Sequence, residues 1–257
     1  MKKIVEVLPD KTTLIQRSLN VVLAKMQAAI GERGQCTIAL AGGSTPKPLY
    51  EAMATQSLPW EKVHVFWGDE RYVPPNHPDS NQRMARSAWL DRVKIPEANI
   101  HPMLADEADP ALAAQKHNAH LQTFFNIQAK DFPVLDLVLL GLGDDGHTAS
   151  LFPHTEALQV IDRLVTVGIK ESQPRLTFTV PLINQARCVI FIVSGANKQM
   201  AITQVLSPKN GPQKPGHTNE ELDRAYPARL IRPSGELWWL LDETVGKDIE
   251  TGAISGE

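Results

Sequence analysis

The chain has 257 residues, 42% of them hydrophobic and 21% charged, a composition typical of a globular protein with a sizeable core. A formal net charge of -3 gives no electrostatic reason to expect nucleic acid as a partner, so an anionic ligand would need a local cationic pocket. No apolar run approaches the roughly 18 residues that span a bilayer, and the N-terminus does not resemble a signal peptide. We therefore expect a cytoplasmic protein without a membrane partner, in which Cys36 and Cys188 are buried free thiols.

Strands and helices alternate along the first half of the chain. A strand at residues 3–8 is followed by a helix whose apolar positions repeat every 3.6 residues, and Gly31 and Gly34 are predicted to end it. Residues 36–41 form a near-continuous apolar run, as in a parallel strand covered on both faces. The next predicted elements are a helix beginning at Pro46, a strand at Val63–Trp67, helices at 84–90 and 111–125, and a strand at 135–140.

The second half continues this alternation. Strands are predicted at 164–169, 176–180, 189–193 and 237–241, and a helix at Gln199–Leu206. The pattern predicts an α/β fold with a mostly parallel sheet, built as a single domain over residues 1–257. Residues 207–220 are rich in Pro, Gly and Lys and are predicted to form a mobile loop, and the polar tail after Val245 is predicted to be frayed.

Four polar segments stand at or near strand ends, where open α/β sheets bind ligands. The first contains Gly42, Gly43, Ser44 and Thr45, followed by Pro46. The glycines permit a tight turn and close approach to a ligand, and Ser44 or Thr45 is predicted to cap the next helix. Such a helix N-terminus with two hydroxyls suits a phosphate, although a plain turn and cap is the alternative.

The second segment, residues 67–72, follows a strand directly. It contains Asp69 and Arg71, and one hypothesis is that Arg71 faces a substrate oxygen while Asp69 fixes its orientation. A solvated loop is the alternative. Downstream, the turn-rich residues 76–81 are predicted to place polar groups over the pocket.

The third segment, residues 141–148, formally matches G-x-G-x-x-G, with Asp162 where a ribose-binding acid would be sought. However, Asp144 and Asp145 would put negative charge where a pyrophosphate must sit, so no dinucleotide cofactor is expected. The better interpretation is a loop that exposes His147 with Asp145 beside it. Imidazole titrates near neutral pH, which makes His147 the natural general base. A surface histidine without a role is the alternative.

The fourth set is cationic. Arg175 is placed at the start of a strand, and Lys198 lies in the segment that follows another strand. Arg can grip a phosphate through two hydrogen bonds and Lys supplies a compact charge, although either could be a surface residue. By contrast, His117 and His120 lack a third ligand nearby, so a solvated helix face is preferred to a metal site.

Five ordered blocks of the sequence resemble the glucosamine-6-phosphate isomerase/6-phosphogluconolactonase family. They are GGSTPKPLY at 42–50, WGDERYVP at 67–74, NHPDSN at 76–81, LGLGDDGHTASLFP at 140–153 and VSGANK at 193–198; WWLLD at 238–242 also fits. The blocks cover the chain from about residue 40 to 200, and the ordered set is far more specific than any one block.

The resemblance implies a Rossmann-like sheet with helices on both faces, without a nucleotide cofactor or metal. It also implies a sugar phosphate as substrate: 6-phospho-D-glucono-1,5-lactone of the oxidative pentose phosphate pathway for the lactonase members. Carried over by motif, His147 would be the base, with Asp145 beside it and Arg71 facing the sugar. The phosphate would be held by Ser44, Thr45, Arg175 and Lys198. The oligomeric state is left open between monomer and homodimer.

Two rival functions share this fold. The isomerase branch carries a carboxylate five residues after the loop histidine, and Phe152 stands at that position here. A sugar-phosphate sensor is the other rival, because regulators reuse such folds without turnover. A sensor would carry a DNA-binding helix-turn-helix, usually before the first strand, whereas here a strand is predicted within a few residues of Met1.

Overall fold

A computed structural model of the protein describes residues 2–206 and 218–255. Ten strands and eight helices are found in these residues. The strands are β1 (Lys2–Leu8), β2 (Cys36–Leu40), β3 (Val63–Trp67), β4 (Asp69–Arg71), β5 (Leu137–Leu140), β6 (Val165–Lys170), β7 (Gln173–Phe178), β8 (Cys188–Val193), β9 (Glu236–Asp242) and β10 (Gly252–Ser255). The helices are α1 (Lys11–Arg33), α2 (Lys47–Met53), α3 (Asn81–Ala88), α4 (Pro110–Phe125), α5 (Val180–Asn184), α6 (Gln199–Leu206), α7 (Asn219–Ala225) and α8 (Glu243–Gly246).

Seven strands form the main sheet in the order β10-β1-β9-β8-β5-β2-β3, with every pairing parallel except that of β10 with β1. Each central strand is apolar on both faces, and alternate residues enter different cores. Leu137 and Leu139 of β5 pack with α1–α3, whereas Val138 and Leu140 pack on the opposite face with α4–α6. This explains the unbroken apolar runs in the sequence, since both faces are covered by helices.

The order of the strands sets the location of the site. From β2 the chain moves outward to β3, and the later strands β5, β8 and β9 are added on the other side of β2. The loops that follow β2 and β5 therefore leave their strands in opposite directions, which opens a crevice at the carboxyl edge. Ligands of open α/β sheets bind at such a switch point.

A second sheet of three antiparallel strands, in the order β4-β7-β6, stands beside the carboxyl edge. It is joined to the main sheet by Gly68, whose N–H donates to Leu40 O and whose carbonyl accepts from Phe178 N. Strand β4 pairs with β7 so that Arg71 lies opposite Arg175. The small sheet thus brings two separate parts of the sequence to the crevice.

The α/β fold with a mostly parallel sheet is confirmed, with several local corrections. The predicted strand at 176–180 lies at Gln173–Phe178, so Arg175 is inside the strand and not at its start. Residue 180 instead begins α5, because Pro181 favours the first helical turn. Helix α1 continues through Gly31 and ends only at Gly34, which has a left-handed φ of 79°.

The C-terminal part of the chain contains two further differences. The prediction of a frayed tail after Val245 is wrong, because β10 pairs with the N-terminal strand, where Val5 lies opposite Gly252. Of the loop expected at 207–220, residues 207–217 lie outside the described range. Thr218 is the N-cap of helix α7, and it and Glu221 accept hydrogen bonds from each other's backbone N–H groups. The predicted loop is therefore wrong for its last residues, 218–220.

The interpretation of His117 and His120 as a solvated face is also wrong for His117, which is 1% exposed. The two side chains belong to a row of four histidines between β3 and α4. His101 Nδ1 lies 3.0 Å from His120 Nε2, and His101 Nε2 lies 3.2 Å from His64 Nδ1. Burial lowers the pKa of His101 to about 4 and that of His117 to about 3, and neighbouring histidines add to both shifts. His101 and His117 are therefore neutral at pH 7, and burial also lowers the pKa of His64 and His120.

The structure also bears on the cysteines, on membrane-spanning helices and on metal-binding clusters. Cys36 and Cys188 are buried and free, as expected, and burial raises the pKa of the Cys188 thiol to about 12. Over residues 2–206 and 218–255, no helix has the length and apolar character to cross a membrane. Across the same residues, no cluster of three or more His, Cys, Asp or Glu side chains is arranged to hold a metal ion.

Candidate active site

A cavity of about 300 Å³ lies at the switch point and is lined by both glycine loops, the small sheet and the segment after β8. All the residues proposed from the sequence line it except Asp145, which lies behind His147. They are Gly42, Gly43, Ser44, Thr45, Asp69, Arg71, His147, Arg175 and Lys198. Tertiary structure therefore brings together segments that are up to about 150 residues apart in the sequence.

Tyr50 holds the loop after β2 in place through two hydrogen bonds to its backbone. The Tyr50 hydroxyl accepts from Ala41 N at 3.0 Å and donates to Ala41 O at 2.8 Å. The predicted capping by Ser44 or Thr45 is wrong, because the N-cap of α2 is Pro46 and no side-chain cap is formed. The two hydroxyls consequently remain at the wall of the cavity instead of being used by the helix.

Glycine is required at position 42 because another side chain occupies the space. A Cβ atom there would lie 1.9 Å from Asn81 Oδ1. Asn81, at the end of the turn 76–81, also donates from Nδ2 to Asp69 O at 3.0 Å. The turn therefore does place a polar group at the pocket, as expected, and the Asn81 side chain lies between Gly42 and strand β4.

Glu70 is a site residue that the sequence interpretation missed. Its side chain is buried and accepts from the backbone N–H groups of Arg71, Asn81 and Gln82, at 2.7–2.8 Å. Burial raises the pKa of Glu70 against the opposing effect of these hydrogen bonds. The carboxylate clamps the start of α3 onto β4, and so it sets the position of Arg71 in the cavity wall.

The predicted orientation of Arg71 by Asp69 is not what the contacts show. Arg71 Nη1 donates to the carbonyl oxygen of Asp79 at 2.9 Å. The carboxylate of Asp69 instead accepts from Ser150 Oγ at 2.7 Å, and both groups are buried. Asp69 thereby fastens the segment that follows the His147 loop to the small sheet. Its inferred role changes from orienting Arg71 to holding this segment in place.

His147 and Asp145 form the pair that the sequence suggested. His147 Nδ1 lies 2.5 Å from Asp145 Oδ1, and the same oxygen accepts from the backbone N–H of His147 at 3.0 Å. Burial opposes the ionisation of Asp145, but these hydrogen bonds outweigh it and lower its pKa to about 2. An ionised Asp145 holds the proton on Nδ1, which leaves Nε2 to accept. The imidazole is 20% exposed and faces the cavity.

The absence of a side chain at Gly143 allows the imidazole to lie close to the backbone of this loop. A Cβ atom on Gly143 would be 2.0 Å from His147 Nδ1. The N–H of Gly143 donates to His147 O at 2.8 Å, and that of Gly146 donates to Gly143 O at 3.2 Å. Gly146 has a left-handed φ of 81°, and its carbonyl accepts from Ala228 N. The loop is thus closed on itself around the base.

Lys198 and Arg175 reach the cavity from opposite sides. Lys198 follows β8, in a segment anchored because Ser194 donates a hydrogen bond to the buried carboxylate of Asp242. Arg175 comes from the middle of β7. Lys170, at the end of β6, also lines the cavity and was not proposed from the sequence. Among the described residues, four cationic side chains therefore line the cavity, counting Arg71.

Fold and site together define an α/β enzyme that places a His–Asp pair and cationic side chains in one cleft. The chain belongs to the family described as glucosamine-6-phosphate isomerases/6-phosphogluconolactonase, whose sequence profile matches residues 9–239.

Among its relatives, a 6-phosphogluconolactonase of Nostoc sp. is 60% identical over 97% of this chain and 99% of its own. Another 6-phosphogluconolactonase, from Synechocystis sp., is 61% identical over 95% of this chain and 98% of its own. The solved structure of 6-phosphogluconolactonase from Trypanosoma cruzi superposes with a TM-score of 0.82 at 26% identity, covering 96% of this chain and 97% of that one.

Proposed function

We propose that this protein hydrolyses 6-phospho-D-glucono-1,5-lactone to 6-phospho-D-gluconate, the lactonase step of the oxidative pentose phosphate pathway. The observation that carries the proposal is the His147–Asp145 pair, which opens into a cavity lined by Arg71, Arg175 and Lys198. The relatives that are 60% and 61% identical over nearly the whole chain are named for this activity, which supports the proposal.

In the proposed reaction His147 is the general base. Asp145 keeps the proton on Nδ1, so the lone pair of Nε2 takes a proton from water as that water attacks the lactone carbonyl at C1. The tetrahedral intermediate then expels the ring oxygen, and the imidazolium returns the proton to it. One water molecule is consumed, the C1–O ester bond breaks, and the product is a carboxylic acid that ionises in solution.

Arg71 is proposed to stabilise the negative charge that develops on the carbonyl oxygen. The backbone N–H groups of Gly143 and Gly146 are both used inside the loop, which argues against that part of the loop as the oxyanion site. Arg71 lines the same cavity, and its Nε is buried without a hydrogen-bond partner among the described residues. A buried cationic donor without a partner gains most when an anion forms beside it.

The phosphate is proposed to bind Ser44, Thr45, Arg175 and Lys198. The two hydroxyls are not used in capping α2, and the two cations supply the positive charge that a dianion requires. The isomerase reaction of the same family is less favoured, because Phe152 stands five residues after His147 and cannot shuttle a proton. Cellular location is proposed to be cytoplasmic, supported by the two free buried thiols.

The test is a coupled assay in which glucose-6-phosphate dehydrogenase generates the lactone in situ. Acid release is compared with and without the protein at a pH where spontaneous ring opening is slow. We expect acceleration by the wild type that is lost in His147→Ala. Binding of 6-phosphogluconate without acceleration would favour the sensor alternative and overturn the proposal.

A further inference from the structure

One face of the small sheet carries an arrangement of charge that costs stability. Arg71 of β4 lies directly opposite Arg175 of β7, and the proximity of Arg71 adds to the effect of burial in lowering the pKa of Arg175. Like charges opposite each other in a sheet are destabilising. Asp69 and Glu70 offset part of this repulsion. A face built in this way gains stability when an anion binds to it.

Lys170 belongs to the same face. On the other side of Arg175 the register places Gly168 of β6, and Lys170 lies two residues further along that strand. Because side chains alternate along a strand, Lys170 and Gly168 share the face that carries Arg175. Lys170 also lines the cavity. The cationic face thus runs from Arg71 through Arg175 to Lys170.

Phe152 packs on this face and also contacts the ring of His147. Its ring centroid lies 5.7 Å from Arg175 Cζ, 5.9 Å from Lys170 Nζ and 4.6 Å from the His147 ring centroid. The segment that leads to Phe152 lies close to the small sheet because position 168 is glycine, where a Cβ atom would lie 2.1 Å from the carbonyl oxygen of Ser150. An aromatic ring attracts a cation over its face, so Phe152 restrains both cationic side chains.

We propose that Lys170 binds the phosphate of the substrate together with Arg175, and that Phe152 is the positioning residue that holds both cations at the cavity. This inference deepens the proposed function and rests on it. Two adjacent cations restrained on one aromatic ring match a dianion better than they match a single developing oxyanion. Arg71, at the other end of the face, remains available for the sugar ring.

The decisive experiment compares two substrates in Lys170→Met. Kinetics are measured with the phosphorylated lactone and with glucono-1,5-lactone, which lacks the phosphate. We expect KM for the phosphorylated lactone to rise about 10- to 100-fold, the range for losing one hydrogen bond to a charged group, with kcat nearly unchanged. The unphosphorylated lactone should respond little. Lys94→Met, which makes the same change at an exposed position outside the cavity, is the matched control.

Two substitutions test whether the aromatic ring of Phe152 positions the cations. Phe152→Leu keeps an apolar side chain but removes the aromatic face, whereas Phe152→Tyr keeps that face. We expect Phe152→Leu to raise KM for the phosphorylated lactone and Phe152→Tyr to restore most of the loss, at equal melting temperatures. Equal KM values in folded Phe152→Leu and Phe152→Tyr would contradict a positioning role for Phe152. The result with Lys170→Met does not depend on whether the Phe152 variants fold.

The possible outcomes separate this proposal from the proposed function. Equal losses on both lactones in Lys170→Met would assign Lys170 to the reacting end and overturn the proposal, and so would an unchanged KM. If the wild type did not hydrolyse the lactone, the proposed function would fail. Calorimetric binding of 6-phosphogluconate against gluconate would then still test Lys170, because preference for the phosphorylated ligand should fall in Lys170→Met.

Discussion

Replacing Gly143 by alanine tests the placement of the base directly. The added Cβ atom would lie 2.0 Å from His147 Nδ1 and 2.6 Å from Asp145 Oδ1. Non-bonded heavy atoms are comfortable at roughly 3.5 Å, so the imidazole must move by more than about 1 Å or leave Asp145. A displacement of 1 Å in a catalytic constellation can cost about 100-fold in rate. We therefore expect kcat of Gly143→Ala to fall at least about 100-fold.

The loop offers its own control. A Cβ atom on Gly141 would meet nothing within 4 Å, and neither Gly141 nor Gly143 has a left-handed φ. Gly141→Ala should therefore keep kcat near that of the wild type, and crowding of the substrate would appear in KM alone. Both variants are compared in the coupled lactone assay, with melting temperatures measured in parallel. Turnover of folded Gly143→Ala within about 3-fold of Gly141→Ala would refute the placement, since such an effect is far below 100-fold.

Three further predictions follow from the same structure. His147→Ala should lose about 10²- to 10⁴-fold in kcat, the usual contribution of a general base, and near wild-type turnover would remove His147 from that role. Lys198→Ala should mainly raise KM for the phosphorylated lactone, and an unchanged KM would exclude Lys198 from the phosphate site. The free energy of unfolding should fall as the pH drops below about 6.5. Histidines in the unfolded chain bind protons in this range, whereas His101 and His117 in the folded protein, with pKa values of about 4 and 3, stay neutral. Each should contribute a loss of about 2 kcal/mol by pH 5, measurable by urea denaturation, and a stability curve equally steep in His117→Leu would contradict the assignment.

Local periodicity was enough to predict six of the seven strands of the main sheet, all except β10. The strand at Val63–Trp67 was predicted with its observed bounds, and so was helix Gln199–Leu206, since apolar spacing reflects the faces that an element buries. Both glycine loops were placed at strand ends, and that alone located the crevice, because parallel strands present their carboxyl ends at one edge. The pairing of Asp145 with His147 also followed from the sequence, since a single residue, Gly146, separates them in the chain.

Strand β4 was not predicted, because its three residues are all polar and show no periodicity. Its pairing with β7 connects positions about 100 residues apart, which no local pattern can reveal. The same long-range pairing places Arg71 against Arg175 and brings Lys170 to the cavity. The burial of His117 escaped prediction for a related reason: its helix α4 packs against β6 and β7, and no local pattern reveals which helix faces such distant contacts bury. The sequence by itself determined the strands of the main sheet other than β10, and which loops bear the chemistry. Only the tertiary structure decided which side chains meet, because register and burial depend on contacts between distant segments.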